Sequence, residues 1–147
     1  MSLLTASSMS WSWTSERSIE SDTTIGQQLL NEVLSQLKQH AWDEQDTFGV
    51  HLAVEEALVN AIKHGNQSDP DKKVHVVSRV SKTHFFIEIR DEGDGFNPGD
   101  VPDPTTDENL ESPSGRGLML MRSFMSRVDF NDAGNCVVME KQRQTDG

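Results

Sequence analysis

Residues 44–65 constrain the fold of this chain more than any other stretch. Val50, Val54, Ala57, Leu58, Ala61 and Ile62 are spaced so that a helix over 44–65 is apolar around most of its circumference. Such a helix is largely buried, yet one stripe of it is polar. With Phe48 set at zero and ~100° per residue, Lys63 falls near ~60°, Glu56 near ~80°, Asn60 near ~120° and His64 near ~160°. Glu55 falls near ~340°, off the stripe. Gly65 is a fitting stop, because glycine adopts the left-handed conformation that often ends a helix.

The stripe has two readings. In one it faces solvent and is knit by i,i+4 hydrogen bonds. In the other it lines a pocket, where a carboxylate and an amide four residues apart hold a base and a metal together. An Asn carbonyl oxygen is a hard ligand suited to Mg²⁺. The stripe alone leaves both open.

The remaining periodicities supply the other layers. Ile25, Leu29, Leu30, Val33, Leu34, Leu37 and Ala41 predict an amphipathic helix over 23–41, with Asp22 or Thr23 as cap. Residues 11–21 alternate weakly, as an edge strand would. Val74, Val76 and Val80, then Phe85, Ile87 and Ile89, predict two strands joined tightly at "SKT". "GLMLMRSFM" reads as a short apolar helix opened by glycine. "RVDF" and "NCVVMEKQ" read as a closing hairpin around "NDAGN". Strands in hairpins with helices grouped between them predict an α+β two-layer sandwich, a mainly antiparallel sheet with helices on one face. A doubly wound parallel sheet would need strict strand–helix alternation.

The chain's 147 residues suit a single domain. Its formal net charge of −11, from 24 acids and 13 bases, disfavours a nucleic-acid or anionic-membrane surface. A nucleotide needs only one local site and is not excluded. One cysteine, Cys136, allows no disulfide framework and no cysteine zinc site. No apolar run approaches the ~20 residues of a membrane span, and the N-terminus lacks a basic leader, so a cytoplasmic protein is expected. Residues 1–10 are Ser-rich and expected to be mobile, and 143–147 form a polar tail.

Two glycine motifs follow the polar stripe. "DEGDG" places Asp91 just past an apolar strand, followed by Gly93 and Gly95. A carboxylate there can accept a hydrogen bond from a base's exocyclic amine, and the glycines allow close approach of a flat ligand. "SGRGL" opens a helix, where free N–H groups attract phosphate. Either motif alone is also what an ordinary turn or loop-to-helix junction looks like. Between them, residues 96–114 hold four of the five prolines and five acids. So long a stretch without a core element is uncommon unless functional or disordered. No P-loop, eukaryotic-type kinase set or His-Glu-x-x-His motif is present.

In this order, "EALVNAIKHGN", "DEGDGF" and "GRGLMLM" resemble the N, G1 and G2 boxes of the GHKL (histidine kinase-like) ATPases. The form "VEEALVNAIKHG" is most similar to the stand-alone RsbW-type anti-sigma factor serine kinases. The resemblance spans about residues 20–141 and implies a Bergerat-type ATP-binding fold. It implies that Asn60 binds Mg²⁺, that Glu56 is the general base, and that Lys63, His64 and Gly65 belong to the nucleotide-binding N box. Asp91 would bind adenine, with Gly93, Gly95 and Phe96 beside it. Residues 96–114 would be an ATP lid. Gly115, Arg116, Gly117 and Leu118 would lie along the phosphates. The family usually closes with a Gly-Thr-rich stretch, where this chain has "GNCV" (134–137) and lacks the hydroxyl.

The implied function is an ATP- and Mg²⁺-dependent serine/threonine-protein kinase. It would act as an anti-sigma factor on a STAS-type anti-anti-sigma protein, with a sigma factor as second partner and a homodimer as its assembly. The alternative is an ATP-dependent module that sequesters a sigma factor or other regulator without phosphorylating anything.

Overall fold

The computed structural model describes residues 11–93 and 113–143, with the side chains of 113–116 left aside. The expectations for residues 1–10, Gly95, Phe96, lid residues 96–112 and the tail from residue 144 lie outside the described residues. The elements run β1 (Trp13–Glu20), α1 (Thr23–Gln39), α2 (Glu44–Val59) with a π-helical extension (Asn60–Gly65), β2 (Lys73–Val80) and β3 (His84–Arg90). Then come α3 (Pro113–Phe124), β4 (Arg127–Phe130) and β5 (Cys136–Gln142).

The strands form one sheet in the order β1-β2-β3-β5-β4. Every described pairing is antiparallel, with β1 and β4 as the edges. The alternation read from the sequence sets the register: Ile87 stands between Ser78 and Met139, and Ile89 between Val76 and Val137. The inward Val76, Ile87, Ile89, Val137 and Met139 meet Leu30, Val33 and Leu37 of α1 and Val50, Val54 and Leu58 of α2 in one buried cluster. Each such leucine contributes roughly 1.5–3 kcal/mol by leaving water. The architecture is the expected α+β sandwich. Among the described residues no helix is long and apolar enough to cross a membrane.

Helix entries follow local chemistry. The Asp22 carboxylate accepts the Thr24 N–H at 2.7 Å, and Asp43 accepts that of Asp46 at 2.7 Å. Each cap satisfies an N–H that has no partner within its helix. Trp42 lies in the link between α1 and α2. It is buried, and its indole N–H donates to Ser81 O at 2.9 Å, tying the link to the β2–β3 turn.

Candidate functional site

The second helix changes pitch after Val59. The spacing predicts an α-helix through Gly65, but Asn60–Gly65 is a π-helical turn. It closes when the Asn66 N–H reaches back five residues to Ala61 O at 2.8 Å. The wider turn is compatible with Asn66 being held from outside the helix, as described below. Gly65 is not left-handed either. The positive φ values that turn the chain fall on Gln67 (53°) and Ser68 (56°). Gly65 is required for space: a Cβ there would lie 2.3 Å from the Asp91 carboxyl carbon.

Asp91 leaves β3 pointing at this helix end. It is buried, its N–H donates to Asn135 O at 2.9 Å, and its Oδ1 accepts the Gly93 N–H at 2.8 Å. Burial pushes its carboxyl above the ordinary 3.8, against the Gly93 N–H and the Lys72 charge, which pull it down. Asp91 opens onto a cavity of about 120 Å³ that Asn60, His64, Gly65, Met121 and Asn135 also line. That volume approaches the ~150 Å³ hollow that takes a benzene ring. A carboxylate on such a wall can accept a hydrogen bond from an amine on the edge of a flat ring.

Glu56 and Asn60 meet α3 beyond this hollow. A Cβ on Gly117 would lie 2.9 Å from Glu56 Oε2 and 3.0 Å from Asn60 Nδ2. The glycine therefore lets the α3 backbone come against both side chains. Asn60 Oδ1 is, among the described residues, the buried side-chain polar atom without a hydrogen-bond partner. Such an orphan costs stability unless something else satisfies it. A hard carbonyl oxygen in that condition fits one ligand position of Mg²⁺. No three His, Cys, Asp or Glu side chains among the described residues are grouped to hold a metal without it.

Other anticipated residues sit differently. Lys63 lies off the cavity and is exposed, whereas Glu55, expected off the stripe, lies off the cavity as well and pairs with His51 at 3.6 Å. Gly115, Arg116 and Gly117 do not precede α3 but lie within its first turns, because the helix starts at Pro113. Proline suits that position, since a first-turn N–H would lack a helical partner anyway. Leu118 is partly buried and does not line the cavity.

Sequence reasoning missed the far wall and one anchor. Met121, Phe130 and Val137 line the cavity as ordinary apolar residues of α3, β4 and β5. Asn131 clasps the turn before β5: its Oδ1 accepts the N–H groups of Asn135 at 3.0 Å and Cys136 at 3.2 Å. Cys136 is buried, which pushes its thiol up. Asn66, fully buried, reads in the sequence as the first residue of a polar loop.

Residues 21–141 match the family model of the histidine kinase-like ATPase domain. The anti-sigma F factor of Clostridium perfringens is 31% identical over 102 residues, 65% of this chain and 72% of that protein. The chain belongs to the histidine kinase-like ATPases, of the anti-sigma kinase type. The anti-sigma F factor of Halalkalibacterium halodurans is 38% identical over 82 residues, 54% of this ATPase and 56% of the relative. The serine/threonine-protein kinase BtrW of Bordetella bronchiseptica is 28% identical over 91 residues, 60% of this ATPase and 64% of BtrW. The chain therefore spans little more than half the length of the Halalkalibacterium halodurans relative. Its family makes ATP the ligand class.

Proposed function

We propose that this ATPase is a cytoplasmic protein serine/threonine kinase that acts as an anti-sigma factor, transferring the γ-phosphoryl of ATP to a STAS-type anti-anti-sigma protein. A sigma factor is its second partner and a homodimer its working form. Glu56 and Asn60 both abutting the α3 backbone at Gly117, with Asn60 Oδ1 left unsatisfied, is the observation that carries this reading.

Asp91 accepts the adenine amine, and the small cavity beside it excludes water from the ring. The backbone of Gly115–Gly117 lies along the phosphates. Asn60 Oδ1 would hold Mg²⁺, which when bound neutralises phosphate charge. Glu56 takes the proton from the attacking hydroxyl as its oxygen bonds to the γ-phosphorus and the bond to ADP breaks. Positioning and charge neutralisation supply most of the acceleration in such transfers.

The test is incubation of the full chain with Mg·ATP and a STAS protein from the same organism, read by intact mass. A gain of one phosphate on the STAS protein supports the kinase. A stable complex with a sigma factor and no phosphate gain replaces it with sequestration alone.

A further inference from the structure

We propose that Asn66 is a positioning residue for Asp91: its side chain sets how closely the base-binding carboxylate stands to the end of α2. This rests on the reading of Asp91 as the adenine contact.

Asn66 is wholly buried. Its Oδ1 accepts the Glu92 N–H at 2.7 Å. Its Nδ2 donates to Ser21 Oγ at 2.9 Å and to Lys73 O at 2.9 Å. One carboxamide therefore joins the β1–α1 link, the start of β2 and the turn after β3. Glu92 lies between Asp91 and Gly93, so the bond to its N–H fixes the turn that carries the carboxylate. The same turn presses on Gly65: a Cβ on Gly93 would sit 1.9 Å from Gly65 O. With contacts this close, a small shift of the Glu92 peptide moves Asp91 relative to Asn60 and His64.

The chemistry calls for an amide. One end must accept an N–H, and the other must donate to a carbonyl and a hydroxyl. Ser21 Oγ already donates its own hydrogen to Lys72 O at 2.6 Å, so it needs a donor from Asn66. A carboxylate at position 66 would keep the Glu92 bond and set oxygen against Lys73 O.

The test is a double-mutant cycle on ATP affinity by calorimetry, with Asn66→Ala, Asp91→Asn and the pair. Asp91→Asn should weaken ATP about tenfold in the natural background, but less than about threefold beside Asn66→Ala. Ser21→Ala loses one bond of the same cluster without touching Glu92, and should leave the full Asp91 effect. If Asn66→Ala does not fold, Asn66→Ser, whose shorter side chain also gives up the Glu92 bond, takes its place in the cycle. Additive losses, or natural affinity in the Asn66 variant, overturn the positioning role. Unchanged affinity in Asp91→Asn alone removes the base contact itself and so the object of the positioning, a result separable from additivity.

Discussion

The carbonyl oxygen of Gly65 occupies the place where a side chain on Gly93 would begin, 1.9 Å from the ideal Cβ position. The end of the N-box helix and the turn after β3 are therefore in backbone contact. No side chain beyond hydrogen fits at that point.

Gly93→Ala should accordingly damage both fold and site. The atom it would meet is backbone, which cannot swing away as a side-chain tip does. A loss of roughly 1–3 kcal/mol is expected, as for other overpacked sites. Urea unfolding would measure it as a lowered midpoint with an unchanged slope, and ATP affinity should fall with it.

Gly117→Ala should separate stability from chemistry. The new Cβ comes too close to the ends of Glu56 and Asn60, at 2.9 and 3.0 Å, which can move, while Glu56 Cβ at 3.7 Å is an ordinary contact. Alanine also favours a helix over glycine by up to ~1 kcal/mol. The urea midpoint should hold or rise. Single-turnover phosphoryl transfer should drop by about tenfold or more, because the displaced pair no longer stands where it must. Equal transfer in both proteins would remove Glu56 and Asn60 from the reaction.

On the proposed mechanism, Glu56→Gln and Asn60→Ala should fail in different ways. The first keeps the shape of the site and loses the proton acceptor, so transfer falls by ~10²–10⁴ while ATP affinity holds. The second removes the oxygen offered to Mg²⁺, so ATP affinity should lose its dependence on Mg²⁺. Titrating ATP with and without the ion distinguishes them.

Asp91 makes stability respond to pH in a defined direction. Burial raises its carboxyl above 3.8 in the folded protein, so the ionised form is disfavoured there relative to the unfolded chain. Its contribution is most favourable below 3.8 and is lost as pH rises through the raised value. Asp91→Asn should therefore melt at a higher temperature than the natural protein at neutral pH. The gap should close as pH falls towards 3.8. Thermal scans of the ligand-free proteins across that range would check it. A gap that stays constant with pH would mean that burial of the charge is not its source.

The legible parts of this molecule are those written in period and in local chemistry. Alternation at Val74, Val76 and Val80 and at Phe85, Ile87 and Ile89 gives the central strands directly. Asp22 caps the helix it precedes. Phe86 shows where period two falls short: it points away from the core yet is buried, with Trp11 at 6.4 Å and the Arg79 guanidinium 5.2 Å from its ring centre. The π-turn was not legible, because Ala61 and Ile62 are apolar neighbours in either helix type. The sequence points to Gly65 for its backbone freedom, but the demand on it is spatial and comes from Asp91, 26 positions on. Asn66 closes the quoted N-box stretch, but nothing there marks it as an anchor, because its three partners belong to segments apart in sequence.

The cavity walls have a consequence for how the chain is made. They come from the end of α2, the end of β3, Met121 of α3, and Phe130 to Val137 of the last hairpin. The β1 strand likewise waits for a partner some sixty positions later, since Trp13 pairs with Val80. Such distant pairings fold slowly. A ribosome must release the chain through Val137 before this cavity has all its walls. A nucleotide bound there would therefore favour only molecules folded through Val137, shifting the folding equilibrium towards them without helping any shorter nascent piece.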